Sequence, residues 1–461
     1  MIYFNLDTFI SILVLILSLF IFLRINFKKN LIRFLLGYVD FFLIFFSQGD
    51  EKKKITNIKK ELSLILINFS SFILKLIITL SPILVTIFFE IQTGKINTID
   101  IFLSFYFIFL SGVIFLIFIK FKQKKNFNRY DETNKIIHKL IVNNFPLLKL
   151  TFDIEKKIFL KKLKSNKKVF ITGYARSGTT FLLNELYKSN IFSSLTYKNL
   201  PLILSPKINN LFIKIFANQN KNDFFFRAHS DGLKISLNSP EAFEEVFWKF
   251  ISGNSYVKEN YLDKHNLSDE DIKEFNKYVN LVTADNKIYI SKNNNNILRL
   301  KDLSHLENSK FLIMYREPLG HAYSLFNQHK NFINIQKKQL FIKEYMSSIG
   351  HYEFGEDHKP FFSSNNDYNT NSINYWIKEW TKFYDEILKI KQNDKFYLIS
   401  YDKCCNEYDF INMKLEKILN HKFNINFTPK IKNATKQNQL DIDKDVLEKA
   451  REIHQQLLKQ N

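Results

Sequence analysis

The sequence predicts an α/β protein: a P-loop-type parallel sheet flanked by helices, preceded by an α-helical transmembrane region. Three observations predict it. From about Asn126 onward, short apolar runs alternate with segments of helical periodicity, the order that builds a parallel sheet covered on both faces. One of these runs, Lys168-Val-Phe-Ile-Thr, passes through Gly173-Tyr-Ala-Arg176-Ser177-Gly178 into the amphipathic segment Thr179-Thr180-Phe-Leu-Leu-Asn-Glu-Leu186. The first 120 or so residues are instead dominated by long apolar stretches bounded by lysines. The expected domains are therefore a membrane region over 1–125 and an α/β domain over 126–461.

In the membrane region, Thr8 to Leu23 is apolar and is followed by Arg24, Lys28 and Lys29. A cleaved leader carries its charges before the apolar run, so this one is expected to be an uncleaved anchor. Leu62 to Ile91 is a long apolar stretch interrupted by Lys75 and by Ser81-Pro82, and Ile101 to Ile119 is a cleaner span. Lys75 is expected to snorkel or to mark a kink near Pro82. Leu31–Phe46 contains Arg33 and Asp40. Three spans put every basic cluster on the cytoplasmic side, as the positive-inside rule requires, with Leu31–Phe46 as an interfacial helix. The expectation is an integral membrane protein with its large C-terminal domain in the cytoplasm.

In the second domain, Val169–Thr172, Ile288–Ile290, Phe311–Tyr315 and Phe396–Ser400 read as strands by length and β-branched or aromatic content. Glu241–Phe250, Tyr375–Ile390 and Val446–Leu458 have helical periodicity, with Ser239 as N-cap of the first. Asn293–Asn296 reads as a turn. The net charge is +21 in a chain rich in Lys, Asn, Ile and Phe. No zinc-finger, RRM or helix-turn-helix pattern accompanies it, so no nucleic-acid partner is expected. Cys404 and Cys405 are the only cysteines, and neighbours in sequence cannot build a disulfide framework.

The loop 173–178 is where chemistry is expected. A glycine-flanked turn opening a helix presents free backbone N–H groups and the positive end of the dipole to an anion. Its Gly-x4-Gly spacing matches a nucleotide P-loop, but Thr179 stands where the lysine would be and the basic residue is Arg176. A second strand-to-helix junction reads Tyr315-Arg316-Glu317-Pro318-Leu-Gly-His-Ala-Tyr-Ser324. Pro318 suits a first helical turn. Arg316 at the strand end with Ser324 two turns on can hold a phosphate monoester.

Together the two motifs resemble the sulfotransferases that use 3′-phosphoadenosine 5′-phosphosulfate, over roughly residues 165–405. Arg176-Ser177-Gly178-Thr179-Thr180 is similar to the family's phosphosulfate loop, in the arginine form of its bacterial and Golgi tyrosylprotein branches. Arg316 and Ser324 have the spacing of its 3′-phosphate element. Ala175 replaces the usual proline and Glu317 the usual Asp or Asn. The resemblance implies a nucleotide co-substrate and no obligatory metal. It implies that the Ser177–Thr180 backbone and both threonine hydroxyls hold the phosphosulfate, while Arg176 neutralises the leaving oxygen. It also suggests that Lys292 stabilises the transition state and that Tyr401 lines the nucleotide. Lys432 and Lys436 could belong to a lid.

The base is the open position. Where the tyrosylprotein branch has its glutamate, this chain reads Ser194-Leu-Thr-Tyr197-Lys198. His229, Glu244 and Glu241 are the candidates. Glu244 and Glu245 are adjacent on a helix, so at most one is expected to face the core. The implied function is membrane-anchored sulfuryl transfer to a hydroxyl or amine of a small molecule, lipid or lipid-linked glycan. The rivals are a P-loop kinase or NTPase, disfavoured by Thr179, and an inactive nucleotide-binding scaffold.

Overall fold

The computed structural model describes residues 6–25, 33–34, 37, 41, 44, 51–94, 98–103, 142, 145–160, 163, 165–200, 202–216, 225–226, 234–363, 369–390, 394–425 and 441–460. The chain separates into two units, Met1–Leu140 and Ile141–Asn461.

In the first unit, helix Leu6–Arg24 opens with Asp7 and closes with Arg24, each complementing the dipole at its end. It packs along helix Glu51–Thr93. Over Lys54–Thr93 this second helix is long and apolar enough to cross a membrane, and little of it is buried in the protein. The interruption expected at Ser81-Pro82 does not end it. Pro82 has no N–H for the carbonyl of Ile78, and the Ser81 hydroxyl donates to that carbonyl instead, at 2.7 Å. Glu90 then ties the end of the helix to its successor, Ile99–Leu103, by accepting from the Thr98 and Ile99 amides and the Thr98 hydroxyl. The segments Leu31–Phe46 and Ile101–Ile119 lie largely outside the described residues.

The second unit holds strands β1 (Lys168–Thr172), β2 (Phe192–Ser193), β3 (Phe225–Phe226), β4 (Lys234–Ile235), β5 (Ile288–Lys292), β6 (Ser309–Tyr315) and β7 (Phe396–Ser400). Five form one parallel sheet in the order β2-β5-β1-β6-β7, while β3 and β4 make a separate antiparallel pair. The four expected strand runs are all present; β2, two residues long, has no comparable sequence signal. Alternate residues of β1 feed two cores. Val169 and Ile171 face Leu182, Leu183 and Leu186 of helix Thr179–Lys188, and Phe170 faces an aromatic core with Phe247, Trp248 and Phe275. Phe170 stacks on Phe311 of β6 at 4.9 Å. Both faces are covered, which is why these strands read as continuous apolar runs.

Two expected helices appear as Ile373–Lys389 and Lys444–Lys459. The third begins at Glu245, with Glu244 and not Ser239 as N-cap. The delay has a cause: Ser239 and Glu241 pair with the chain near Thr196, where Tyr197 N donates to Ser239 O and Glu241 N to Leu195 O. Asn293–Asn296 is more ordered than a plain turn. Asn293 caps a 3-10 helix, Asn294–Leu298, by accepting from Asn295 N at 3.0 Å.

Candidate functional site

The chain leaves β1 toward β2 and β5 on one side and leaves β6 toward β7 on the other. Beyond the carboxyl ends of β1 and β6 lies the crevice where open α/β sheets bind ligands. Both sequence motifs meet there.

The loop after β1 is held in an unusual shape. Gly173 has φ +148, and a Cβ there would meet Met314 O of β6 at 2.4 Å. Arg176 has φ +72, a left-handed conformation that costs a non-glycine residue energy and must be imposed by its surroundings. The surroundings are specific. Tyr384 donates to Met314 O (2.9 Å) and accepts from Tyr174 N (3.3 Å), fastening the loop to the end of β6. His321 sits at 2.7 Å from Ala175 O, and Trp380 Nε1 donates to its other nitrogen at 3.0 Å. With Nδ1 accepting, Nε2 carries the hydrogen and donates to the loop. Burial pushes the His321 pKa down to about 3, with the nearby Arg316 and Arg176 charges acting in the same direction. The ring is neutral.

Gly178, at φ +97, caps helix Thr179–Lys188, and no side chain caps that end. A Cβ on Gly178 would meet the Tyr401 ring at 2.4 Å. Ser177 is fully buried and its N–H already donates to Tyr174 O at 3.1 Å. The expectation that the Ser177 amide faces an anion is therefore corrected; Gly178, Thr179 and Thr180 supply the helix-terminal amides. The Thr179 hydroxyl is also turned inward, 3.5 Å from Asn294 Oδ1.

Arg176 Nε donates to Ser324 Oγ at 3.4 Å, a bond that joins the first motif to the second across 148 residues. The Arg316 guanidinium lies 5.3 Å from the centroid of the Tyr401 ring. Burial pushes the Tyr401 phenol up to about 12, so it is neutral at physiological pH. Glu317 is the N-cap of helix Pro318–Lys338, accepting from Leu319 N and Gly320 N at 3.0 and 2.7 Å. Its own N–H donates to Asp402 next to Tyr401. Thus Gly178, Arg316, Ser324 and Tyr401 come together with Arg176. Lys292 ends β5, in register with Ile171 of β1, and is buried.

The base candidates fare differently. His229, like Lys432 and Lys436, lies outside the described residues. Glu244 and Glu245 are both buried, against the expectation that only one could be. Glu244 accepts from Trp248 Nε1 (2.9 Å), Tyr289 OH (2.8 Å) and Asn296 Nδ2 (3.3 Å), so its carboxylate is enclosed by internal donors and is set aside as a base. Glu245 is the partner of Arg299, through Nη1 at 2.8 Å and Nη2 at 3.0 Å. Burial alone raises the Glu245 pKa, but the Arg299 charge and hydrogen bonds outweigh it and hold it below the ordinary range. Glu241 accepts from Tyr197 OH at 2.8 Å and from Ala242 N at 3.1 Å.

A carboxylate the sequence did not single out is linked to the loop. Glu353 Oε1 accepts from Asn294 Nδ2 at 3.0 Å, and Asn294 Oδ1 in turn accepts from Thr179. His321 could have been found from its place one turn before Ser324 on the same helix face. Glu353 and Tyr384 carry no such signal.

No protein-family profile and no curated protein matches the sequence. Among solved structures, the chain is similar to sulfotransferase STF1 of Mycobacterium tuberculosis H37Rv, at 9% identity and TM-score 0.35, covering 68% of this chain and 79% of that one. It is similar to sulfotransferase STF9 of Mycobacterium avium, at 10% and 0.34, covering 70% and 74%. A third is the sulfotransferase domain from the curacin biosynthetic pathway, at 12% and 0.32, covering 64% and 98%. These are distant likenesses and assign no activity to this chain.

Proposed function

We propose that this chain moves a sulfuryl group from 3′-phosphoadenosine 5′-phosphosulfate to a hydroxyl or amine acceptor, from a membrane-anchored position. The observation that carries it is the Arg176–Ser324 hydrogen bond at the switch crevice, beside an uncapped helix N-terminus. It supports the reading because it joins the loop 173–178 to the helix carrying Ser324, the side-by-side arrangement that a nucleotide with separate 5′ and 3′ anions requires. The donor set fits that group: amides of Gly178, Thr179 and Thr180, the Thr180 hydroxyl and Arg176 for the 5′ side, Arg316 and Ser324 for the 3′-phosphate. Tyr401 supplies a neutral ring against the nucleotide.

In the transfer, the bond from sulfur to the bridging oxygen breaks as the acceptor oxygen or nitrogen bonds to sulfur. Arg176 neutralises the charge left on the bridging oxygen, and Lys292 the charge on the sulfuryl oxygens. The proton released by the acceptor passes to Glu353, which is linked to Thr179 through Asn294. Most of the rate comes from positioning and fixed charge, as in phosphoryl transfer.

The membrane region over 1–125, with about three spans and a cytoplasmic domain over 126–461, belongs to the same proposal. A lipid or lipid-linked glycan acceptor suits it, since anchoring brings enzyme and acceptor onto one surface. The helix Lys54–Thr93 supports this part. The test is calorimetric titration of the detergent-solubilised chain with adenosine 3′,5′-bisphosphate and with ATP. The bisphosphate is expected to bind more tightly, with Arg176→Ala and Arg316→Ala each weakening it by about 1.5–3 kcal/mol, the worth of a charge-assisted bond. Preference for ATP, or indifference to Arg316→Ala, refutes the proposal.

A further inference from the structure

Helix Phe145–Phe159, near the start of the second unit, has two apolar faces where a surface helix needs one. Leu148 and Phe152 are buried in the aromatic core. Glu155, on the same inner face, accepts from the amides of Lys207 and Ile208 at 3.0 and 2.9 Å, which locks the rotation of the helix. On the other side Leu150, Ile154 and Ile158 recur every fourth residue and are 56%, 41% and 56% exposed. Isolated exposed leucines are ordinary; a stripe of three on one face of a fixed helix is an interaction surface.

We propose that this stripe docks the second unit on an anionic bilayer surface. Two features choose the membrane over a protein partner. Lys157 is exposed beside the stripe and Lys149 is exposed on a flank of the same helix, and the helix is followed at once by Lys161, Lys162 and Lys164. That is the composition of an interfacial helix, apolar below and basic at the rim. The helix also follows closely in sequence on the apolar stretch Ile101–Ile119 and its basic flank Lys120, Lys122, Lys124 and Lys125. Docking rests on the membrane part of the proposed function, and is independent of the reaction.

The test uses the full chain reconstituted into vesicles of phosphatidylcholine and phosphatidylserine. A photoreactive benzophenone amino acid replaces Ile154, or in separate proteins Val85 of the long apolar helix or the exposed Lys449. Irradiation is expected to give lipid adducts at positions 154 and 85 and none at 449. Lys149→Ala with Lys157→Ala should lower the adduct yield at 154 in phosphatidylserine vesicles, each lysine near the surface weighing about fivefold in the docking equilibrium. Lipid adducts at 85 without any at 154 overturn the docking alone, as does a protein–protein adduct at 154. Absence of lipid adducts at 85 overturns the membrane reading itself, and the docking with it.

Discussion

Replacing His321 with leucine tests whether the loop's shape is imposed from the neighbouring helix. The substitution removes two hydrogen bonds in a fully buried place. Ala175 O loses its 2.7 Å donor and Trp380 Nε1 loses its 3.0 Å acceptor. Each stranded polar group costs about 1–3 kcal/mol, so the sum is about 2–6 kcal/mol. All three tryptophans, Trp248, Trp376 and Trp380, are buried in the second unit. Tryptophan emission therefore follows that unit alone, and its thermal midpoint should fall by roughly 5–15 °C. Binding of adenosine 3′,5′-bisphosphate below the transition should weaken by about tenfold as Arg176 loses its fixed backbone. Glutamine can donate to Ala175 O and accept from Trp380 at once, so His321→Gln should restore most of both. If leucine leaves midpoint and affinity unchanged, or glutamine is as damaging as leucine, His321 does not hold the loop.

Gly173→Ala brings a Cβ within 2.4 Å of Met314 O at φ +148, and should cost about 2–5 kcal/mol from backbone strain and overpacking, read by the same tryptophan melt. Arg299→Leu strands the Glu245 carboxylate at full burial and should cost about 3–5 kcal/mol, measured by urea denaturation; an unaffected midpoint would show the pair to be dispensable. In the proposed transfer, Glu353→Gln should slow the reaction by about 10²–10⁴-fold while leaving bisphosphate binding intact, and Glu353→Asp should recover part of the rate. Burial pushes His265 and His329 down to about 4 and His321 and His358 down to about 3. Below their ordinary pKa of about 6.5 the unfolded chain then binds more protons than the native one. Stability should accordingly fall as pH drops from about 6.5 toward 4, whereas Glu155 and Glu379, pushed up to about 7, oppose the trend. The slope should be shallower in His321→Gln, which has no imidazole to titrate.

The parts of the site visible in sequence are those whose chemistry is local. A strand, a glycine, an arginine and a helix start follow one another within 168–186, and the same is true of Arg316 to Ser324. The supports are not local. Tyr384 bridges Tyr174 and Met314 from a helix with no motif, and Glu353 reaches Thr179 only through Asn294. The double burial of Glu244 and Glu245 defeated helical periodicity because Arg299, 54 residues on, supplies the compensating charge. Ser239 looked like a cap because nothing nearby reveals that its backbone is already paired with Tyr197.

The left-handed Arg176 bears on how the proposed donor would arrive. Because Gly173, Ala175, Ser177 and His321 leave the loop little room, its shape is set before any ligand is present. For the proposed donor, this loop would then not have to reorder on binding, so little of its ordering entropy would be lost and encounter would be governed by charge attraction. Association should be fast and strongly salt-dependent, with selectivity residing in how quickly wrong nucleotides leave. Arg176→Gly would relax the backbone and firm up the fold while removing the charge that greets the donor, so here stability and capture pull in opposite directions.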